Sequence, residues 1–177
     1  MQKVIILGCP GTEKSTFARK LRDKTDLPLL YLDLLWHKKD QTNYTKAEFD
    51  SKLKKILQGD KWIIDGNYQR TIEMRLQACD TVFLLDYPVE VCLNGAESRV
   101  GHPREDLPWV EKVFDPEFKE WIINFSKEQL PEIYELLQQY QNKKRIIIFK
   151  NRNEANKFLD DYNFRLNTHS NQHQLVL

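Results

Sequence analysis

The stretch KVIILGCPGTEKST, residues 3–16, decides the fold of this chain. Its first part, residues 3–7, is a short apolar run that predicts a strand buried on both faces. The part from Lys14 onward predicts a helix, and a glycine-containing turn joins the two. A buried strand, a turn and a helix in direct succession are typical of an α/β domain with a parallel sheet.

The turn itself nearly fits the pattern G-x-x-x-x-G-K-[ST], in which a loop between a strand and a helix holds phosphate groups. Gly8, Lys14 and Ser15 match this pattern, whereas Glu13 stands where the pattern has glycine. The loop predicts a nucleotide-binding site made of Gly8, Pro10, Gly11, Thr12, Glu13, Lys14, Ser15 and Thr16.

The chemistry of such a loop assigns a role to its side chains. Backbone N–H groups and the helix N-terminus surround the phosphate oxygens, and Lys14 is the predicted catalytic cation beside the β- and γ-phosphates of ATP. The Ser15 hydroxyl is a predicted ligand of Mg²⁺. If the Glu13 carboxylate faced the phosphates, repulsion would cost about 1–4 kcal/mol, but little if it pointed into solvent. The loop therefore predicts ATP and Mg²⁺ as cofactors.

Four further apolar runs predict the other strands of a five-stranded sheet, at residues 29–32, 61–64, 81–85 and 145–149. Amphipathic stretches separate these runs, and one of them opens with a capping box formed by Thr45 and Glu48. Strands that are apolar on both faces and alternate with helices predict a parallel sheet covered on two sides. We therefore expect one α/β domain over residues 1–160 and a polar C-terminal tail over residues 161–177.

Three of the predicted strands end in or are followed by an aspartate, namely Asp33, Asp65 and Asp86. Each alone is most simply a turn or capping residue, but parallel sheets bind ligands where their strands end. We expect Asp33 to accept a proton from an acceptor hydroxyl or to orient the acceptor. Asp65 is the favoured second ligand of Mg²⁺, with Asp86 as the alternative.

A segment rich in charge and proline, residues 98–113, follows a predicted helix and predicts a mobile lid. Its arginines, Arg99 and Arg104, are candidates for stabilising charge on a transferring phosphoryl group. The plainer interpretation is a solvated loop whose arginines pair with Glu105 and Asp106. The sequence does not choose between the two arginines.

The acceptor side has three further candidates besides Asp33. Arg70 begins a predicted helix and is a candidate anchor for an anionic group of the acceptor. Trp36 and Tyr68 are candidates for stacking on a planar acceptor, although most aromatic side chains of this kind are simply packed.

The composition excludes several classes of protein. The 177 residues carry 27 basic and 26 acidic side chains, and this balance does not favour a dedicated DNA-binding surface. The apolar runs are far shorter than the roughly 20 residues that a membrane-spanning helix needs. Three widely spaced cysteines suit a reducing compartment, so we expect a cytoplasmic protein without a signal peptide.

The segments GCPGTEKST, LDLLW, DGNYQRT, DTVFLLDYP and ESRVGHPREDLPW together span nearly all of residues 1–160. With these segments the chain resembles small P-loop kinases of the adenylate and shikimate kinase type. It is most similar to the adenylate-kinase-related family of DNA topology modulation (FlaR-like) proteins. The DGNYQRT segment resembles one in adenylate kinases in which Asp-Gly precedes a phosphate-binding arginine, with one extra residue before Arg70.

The resemblance implies a P-loop NTPase fold with three α/β/α layers, sheet order 2-3-1-4-5, a lid, use of ATP and Mg²⁺, and a cytoplasmic setting. The family's name also suggests an influence on DNA supercoiling. Because the fold hosts many acceptors, the resemblance does not identify the substrate.

Three functional hypotheses follow. The favoured one is a phosphotransferase that moves the γ-phosphoryl group of ATP to a small-molecule acceptor, a nucleoside or nucleotide. The second is a nucleotide-binding regulator with little turnover, linked to DNA topology. The third is a degenerate loop that no longer binds nucleotide because of Glu13.

Overall fold

The structure is a computed structural model that describes residues 1–171. Its single sheet has five parallel strands in the order β2-β3-β1-β4-β5. This arrangement confirms the expected α/β class and the order 2-3-1-4-5 that the resemblance implies. The strands are β1 (Lys3–Gly8), β2 (Leu29–Tyr31), β3 (Trp62–Asp65), β4 (Thr81–Leu85) and β5 (Arg145–Phe149).

Helices follow the strands along the chain and cover both faces of the sheet. They are α1 (Lys14–Thr25), α2 (Leu32–Trp36), α3 (Lys46–Leu57), α4 (Ile72–Ala78), α5 (Val89–Glu97), α6 (Pro116–Glu128), α7 (Leu130–Tyr140) and α8 (Arg152–Asn171), with a 3₁₀ turn at Gln69–Thr71. The short helix α2 was not expected from the sequence. It places Asp33 in the first turn of a helix, rather than at the end of a strand.

The central strands are apolar on both faces because helices cover them from both sides. Val4, Ile5, Ile6 and Leu7 of β1 have no exposed surface at all. Such burial explains the continuous apolar runs from which the parallel sheet was predicted.

An aromatic cluster joins helices α1 and α8 to the sheet. The ring of Phe17 lies 5.0 Å from that of Phe83, and Phe158 of α8 lies 5.1 Å from the same ring. Helix α8 continues to Asn171, and thus runs into the stretch 161–177 that was expected to be an aperiodic tail. Residues 172–177 lie outside the described residues, and the domain boundary at residue 160 stays a prediction.

Side-chain caps set the ends of the helices that flank the site. The Thr45–Glu48 capping box at the start of α3 is confirmed. Asp115 caps α6 by accepting hydrogen bonds from the N–H groups of Glu117 and Phe118. Between Glu97, where α5 ends, and this cap, the chain contains neither helix nor strand, as expected for the segment 98–113. Within residues 1–171, no helix combines the length and apolarity needed to span a membrane.

Candidate active site at the end of strand β1

The loop between β1 and α1 is shaped by close backbone contacts. Gly11 has φ +83°, and a Cβ atom there would lie 1.8 Å from the carbonyl oxygen of Cys92 in α5. Gly95, one turn further along α5, would place a Cβ atom 2.1 Å from the Gly11 carbonyl oxygen. Helix α5 can therefore press against the loop only because both positions are glycine. The role of Gly95 was not predicted from the sequence, where the only indication is that a glycine lies inside a helical stretch.

The carbonyl oxygen of Cys9 organises the loop. It accepts hydrogen bonds from the Thr12 hydroxyl at 2.8 Å and from the Lys14 ammonium group at 2.9 Å. Burial lowers the pKa of Lys14, and the nearby Asp65 carboxylate opposes that shift. Lys14 is thus held at the mouth of the loop by a neutral carbonyl group, which an anionic phosphate oxygen would outcompete.

Glu13 explains why the usual pattern has glycine at its position. Its φ of +66° lies in the left-handed region, which costs a residue other than glycine roughly 1–2 kcal/mol. The carboxylate lies 3.1 Å from the guanidinium of Arg152, the first residue of α8. This ion pair, together with exposure to solvent, reduces the negative charge that an anion in the loop would meet.

Three oxygen-bearing side chains from different parts of the chain meet beside Lys14. The Ser15 hydroxyl oxygen lies 2.5 Å from Oδ2 of Asp65 and 3.0 Å from Oδ2 of Asp106. The hydroxyl carries one proton and cannot satisfy both carboxylates. The other carboxylate oxygen of Asp65, Oδ1, is buried and has no hydrogen-bond partner. Burial raises the pKa of Asp65 to about 6, while Lys14 and Ser15 oppose the shift.

This cluster has the chemistry of a magnesium site. Mg²⁺ prefers oxygen ligands, commonly one or two carboxylates completed by water and phosphate oxygens. Ser15 and Asp65 are the two predicted ligands, and the structure brings them into contact. Asp106 was expected only as a partner of the lid arginines. Among residues 1–162, whose side chains the structure describes, no group of three or more His, Cys, Asp or Glu side chains could hold a metal ion, and the Ser15 hydroxyl is the third oxygen donor of this cluster.

Asp86, the alternative magnesium ligand, has other partners. Its carboxylate accepts hydrogen bonds from Lys150 at 2.5 Å and from the Tyr134 hydroxyl at 2.7 Å. Asp86 therefore lies in an ion pair between β4 and β5 and does not contact Ser15.

Two cavities meet at the cluster. The first, which we call the loop cavity, has a volume of about 430 Å³ and is lined by Glu13, Thr16 and Arg19 among others. The second, the aromatic cavity, has a volume of about 520 Å³, and side chains such as Asp33 and Trp109 line it. The residues that line both are Lys14, Ser15, Arg99, Arg104 and Asp106. We call this shared part the junction.

The two lid arginines both reach the junction but differ in their partners. Arg104 lies 3.5 Å from Asp106 and 3.5 Å from Glu111, so carboxylates of its own segment offset its charge, although its Nε and Nη1 are buried without a hydrogen-bond partner. Nε of Arg99 is buried without a hydrogen-bond partner, and burial lowers the pKa of this arginine. Glu105 pairs with Arg22 of α1 rather than with either lid arginine.

The acceptor-side predictions have different outcomes. Asp33 and Tyr68 both line the aromatic cavity, and the Tyr68 hydroxyl donates a hydrogen bond of 2.8 Å to the Asp33 carboxylate. Burial raises the pKa of Tyr68, so this hydroxyl keeps its proton and orients Asp33. Trp36 does not line the cavity; it packs edge-on against Phe49 and Tyr68.

Arg70 lies outside both cavities and forms a two-pronged ion pair with Asp50, at 2.7 Å for each nitrogen.

Arg75 is instead the arginine that supports this part of the site. Its fully buried guanidinium donates to backbone carbonyls, including that of Gly66 at 2.7 Å. Asn67 exchanges two hydrogen bonds with the backbone of Gly8, at 2.9 and 2.7 Å. Sequence reasoning missed Arg75 and Asn67, because an arginine or asparagine after a strand carries no signal of its own.

Comparisons with known proteins show the fold. No protein-family model matches this chain, and no curated protein matches it in sequence. Among solved structures, the chain is similar to shikimate kinase from Acinetobacter baumannii in complex with shikimate, with 16% identity, a TM-score of 0.59, and coverage of 99% of this chain and 97% of the other. A gluconokinase from Sinorhizobium meliloti 1021 has 11% identity, a TM-score of 0.54, and coverage of 96% and 97%.

Shikimate kinase from Bacteroides thetaiotaomicron is similar at 14% identity and a TM-score of 0.55, with coverage of 93% and 97%. All three structures cover nearly the whole of this chain at low sequence identity. The chain therefore has the α/β fold of P-loop small-molecule kinases.

Proposed function

We propose that this protein is an ATP-dependent phosphotransferase that moves the γ-phosphoryl group of ATP to a small acceptor, a nucleoside or nucleotide. The observation that carries the proposal is the cluster of Ser15, Asp65 and Asp106 beside Lys14. It lies where two cavities of small-molecule size meet, as a reaction between two bound molecules requires. The fold that the chain shares with proteins named as shikimate kinase and gluconokinase supports the same conclusion.

In this proposal the loop cavity takes the phosphates of ATP. The loop N–H groups and Lys14 bind the phosphate oxygens, and Ser15 with Asp65 would hold Mg²⁺. Bound Mg²⁺ supplies positive charge that neutralises the phosphate oxygens. Glu13, paired with Arg152, lies at the rim of the cavity.

The acceptor binds in the aromatic cavity with its hydroxyl directed at the junction. The acceptor oxygen forms a bond to the γ-phosphorus, the bond between that phosphorus and the β–γ bridging oxygen breaks, and ADP leaves. Asp33 accepts the hydroxyl proton, and Tyr68 holds its carboxylate in place. Arg99 offsets charge on the transferring group, because among the described residues no carboxylate forms an ion pair with it, whereas Arg104 is paired with Asp106 and Glu111.

The test is an ADP-release assay across nucleosides, nucleotides and small hydroxylated metabolites. We expect at least one acceptor to raise ADP release well above the level of the Lys14→Ala variant. Lys20→Ala, at an exposed position on the same helix, is the matched control and should keep full activity. If no acceptor raises ADP release above that of Lys14→Ala, the proposal is wrong.

The ion pair between Glu13 and Arg152 weakens the reason for regarding the loop as degenerate. Calorimetry with Mg·ATP separates the alternatives. Binding by the natural protein would exclude a loop that no longer binds nucleotide, whereas binding only by the Glu13→Gly variant would support such a loop. Binding without transfer to any acceptor would favour the nucleotide-binding regulator. A cytoplasmic location and the lack of direct DNA contact are parts of the proposal that rest on the cysteine usage and the net charge of +1.

A further inference from the structure

The charges of the aromatic cavity are distributed unevenly. The lysine and arginine side chains that line it, Lys14, Arg99 and Arg104, are all at the junction and also line the loop cavity. Outside the junction, the charged side chains that line the cavity are acidic: Asp33 lies beside the junction, near enough to act on Lys14 and Arg99, and Asp115 lies at the start of α6. An acceptor with an anionic group at its far end would meet carboxylates there and no arginine or lysine.

Arg70, which was predicted to bind an anionic group of the acceptor, does not line the cavity. It belongs to the segment beside the cavity, but both of its outer nitrogens bind Asp50. His37 does line the cavity, but its Nδ1 lies 2.6 Å from the side-chain oxygen of Asn43. An anion at this end would lie near the Asp115 carboxylate without an arginine or lysine to pair with, so this end of the cavity selects against anions.

The reacting end of the cavity favours a hydroxyl over a phosphate oxygen. Asp33 is half-buried and accepts a hydrogen bond of 2.8 Å from the Tyr68 hydroxyl, so its carboxylate is fixed in the cavity. A hydroxyl can donate its proton to this carboxylate. A phosphate oxygen has no such proton at neutral pH and is repelled, while the cations nearby are needed by the phosphates of ATP.

The walls of the cavity suit a flat or ring-shaped molecule. Phe118 and Trp121 of α6 lie parallel, with ring centres 6.1 Å apart and 12° between their planes. Trp109 from the lid segment lines the same cavity, and the ring of His37 packs edge-on against it at 5.0 Å. Trp109, Phe118 and Trp121 are only half-buried, so their faces can stack on a bound ring.

We propose that the acceptor of this site is an uncharged ring compound that carries a hydroxyl group, such as a nucleoside, and is neither a nucleotide nor a sugar acid. This inference rests on the proposed phosphotransferase function. The ring stacks against Trp109, Phe118 and Trp121, and the hydroxyl reaches Asp33 beside the junction.

The experiment compares matched neutral and anionic acceptors. Thymidine is paired with thymidine 5′-monophosphate, adenosine with adenosine 5′-monophosphate, and glucose with glucuronate, which keeps the ring and adds a carboxylate, and ADP release is measured for each. We expect kcat/KM to be at least about tenfold higher for the neutral member of any pair that reacts. A preference of the same size for an anionic member would overturn the inference and leave the phosphotransferase function intact.

A second measurement tests the charge argument directly. Gln129 lines the aromatic cavity but not the loop cavity, and Gln129→Lys should move the preference toward the anionic member of each pair. Gln141→Lys, at an exposed position outside the cavity, should leave the preference unchanged. An unchanged preference in Gln129→Lys would contradict the charge argument.

If no pair reacts, the phosphotransferase function fails for these acceptors, and calorimetry still decides the inference. In the presence of Mg²⁺ and a non-hydrolysable ATP analogue, binding of thymidine, adenosine or glucose without binding of its anionic partner supports it. Binding of the anionic member alone, or of no neutral member, overturns it.

Discussion

Replacing Asp65 by asparagine is expected to stabilise the ligand-free protein at neutral pH and to abolish the proposed Mg²⁺-dependent phosphotransferase activity. Burial raises the pKa of Asp65 from 3.8 to about 6. A pKa that is higher in the folded protein means that the folded state binds the proton more tightly than the unfolded state. The stability gained from this proton is present in full below about pH 3.8 and is lost as the pH rises through about 6.

The magnitude follows from the size of the shift. A difference of about two pKa units corresponds to about 3 kcal/mol between the charged and the neutral side chain at pH 8. Asparagine has nearly the same shape and no charge, so Asp65→Asn should raise the free energy of unfolding by about 3 kcal/mol at pH 8. At pH 5 the gain should fall to about 1.5 kcal/mol, because the natural carboxyl is then mostly protonated in the folded state.

Urea denaturation at pH 5 and pH 8 measures both values, and a thermal melt at pH 8 should show an increase in Tm of about 6–12 °C. Asp86→Asn is the matched control, since Asp86 also follows a strand but binds Lys150 and Tyr134. It should give no such gain at pH 8. The reasoning about burial would be refuted if Asp65→Asn did not raise the free energy of unfolding at pH 8. It would also be refuted if the increase at pH 5 were as large as the increase at pH 8. Full Mg²⁺-dependent turnover in this variant would refute the role of Asp65.

Three further predictions concern the loop and the arginines. Arg152→Ala should weaken binding of Mg·ATP by up to about fivefold, as calorimetry measures, because Glu13 loses its partner; Glu13→Gly in the same chain should restore it. Gly95→Ala should weaken ATP binding at least about tenfold and lower stability by about 1–3 kcal/mol, because its Cβ atom would enter the loop backbone. Arg99→Ala should lower kcat by about 10²-fold or more, whereas Arg70→Ala should leave steady-state activity nearly unchanged.

Each of these predictions has a result that contradicts it. Unchanged ATP affinity in Arg152→Ala would mean that the Glu13 carboxylate does not act on the loop. Normal ATP binding in Gly95→Ala would mean that α5 can move away from the loop at little cost. A large loss of activity in Arg70→Ala would mean that its ion pair with Asp50 opens during the reaction.

Much of the fold could be predicted from the sequence, because the information is local. All five strands were predicted to within about a residue, since strands buried on both faces leave apolar runs. The irregular conformation of residues 98–113 and the cap at Thr45 were predicted from local composition in the same way. Helix α2 was missed because five residues are too few to show a helical period.

The candidate site could be predicted only in part, because the partners of a polar side chain depend on the tertiary structure. Asp65 and Ser15 are 50 residues apart and Asp106 is 91 residues from Ser15, so no sequence pattern links the three. Arg70 was predicted to bind an anionic group of the acceptor, yet it binds Asp50 instead.

The sequence by itself determined the phosphate-loop pattern, the parallel sheet and the departure at Glu13, because each depends on neighbouring residues and on periodicity. Only the tertiary structure decided that Glu13 pairs with Arg152, that Asp106 joins Ser15 and Asp65, and that Arg70 lies outside the cavity. Long charged side chains reach several ångströms from their backbone, and they settle on whichever opposite charge the packed elements bring within that reach.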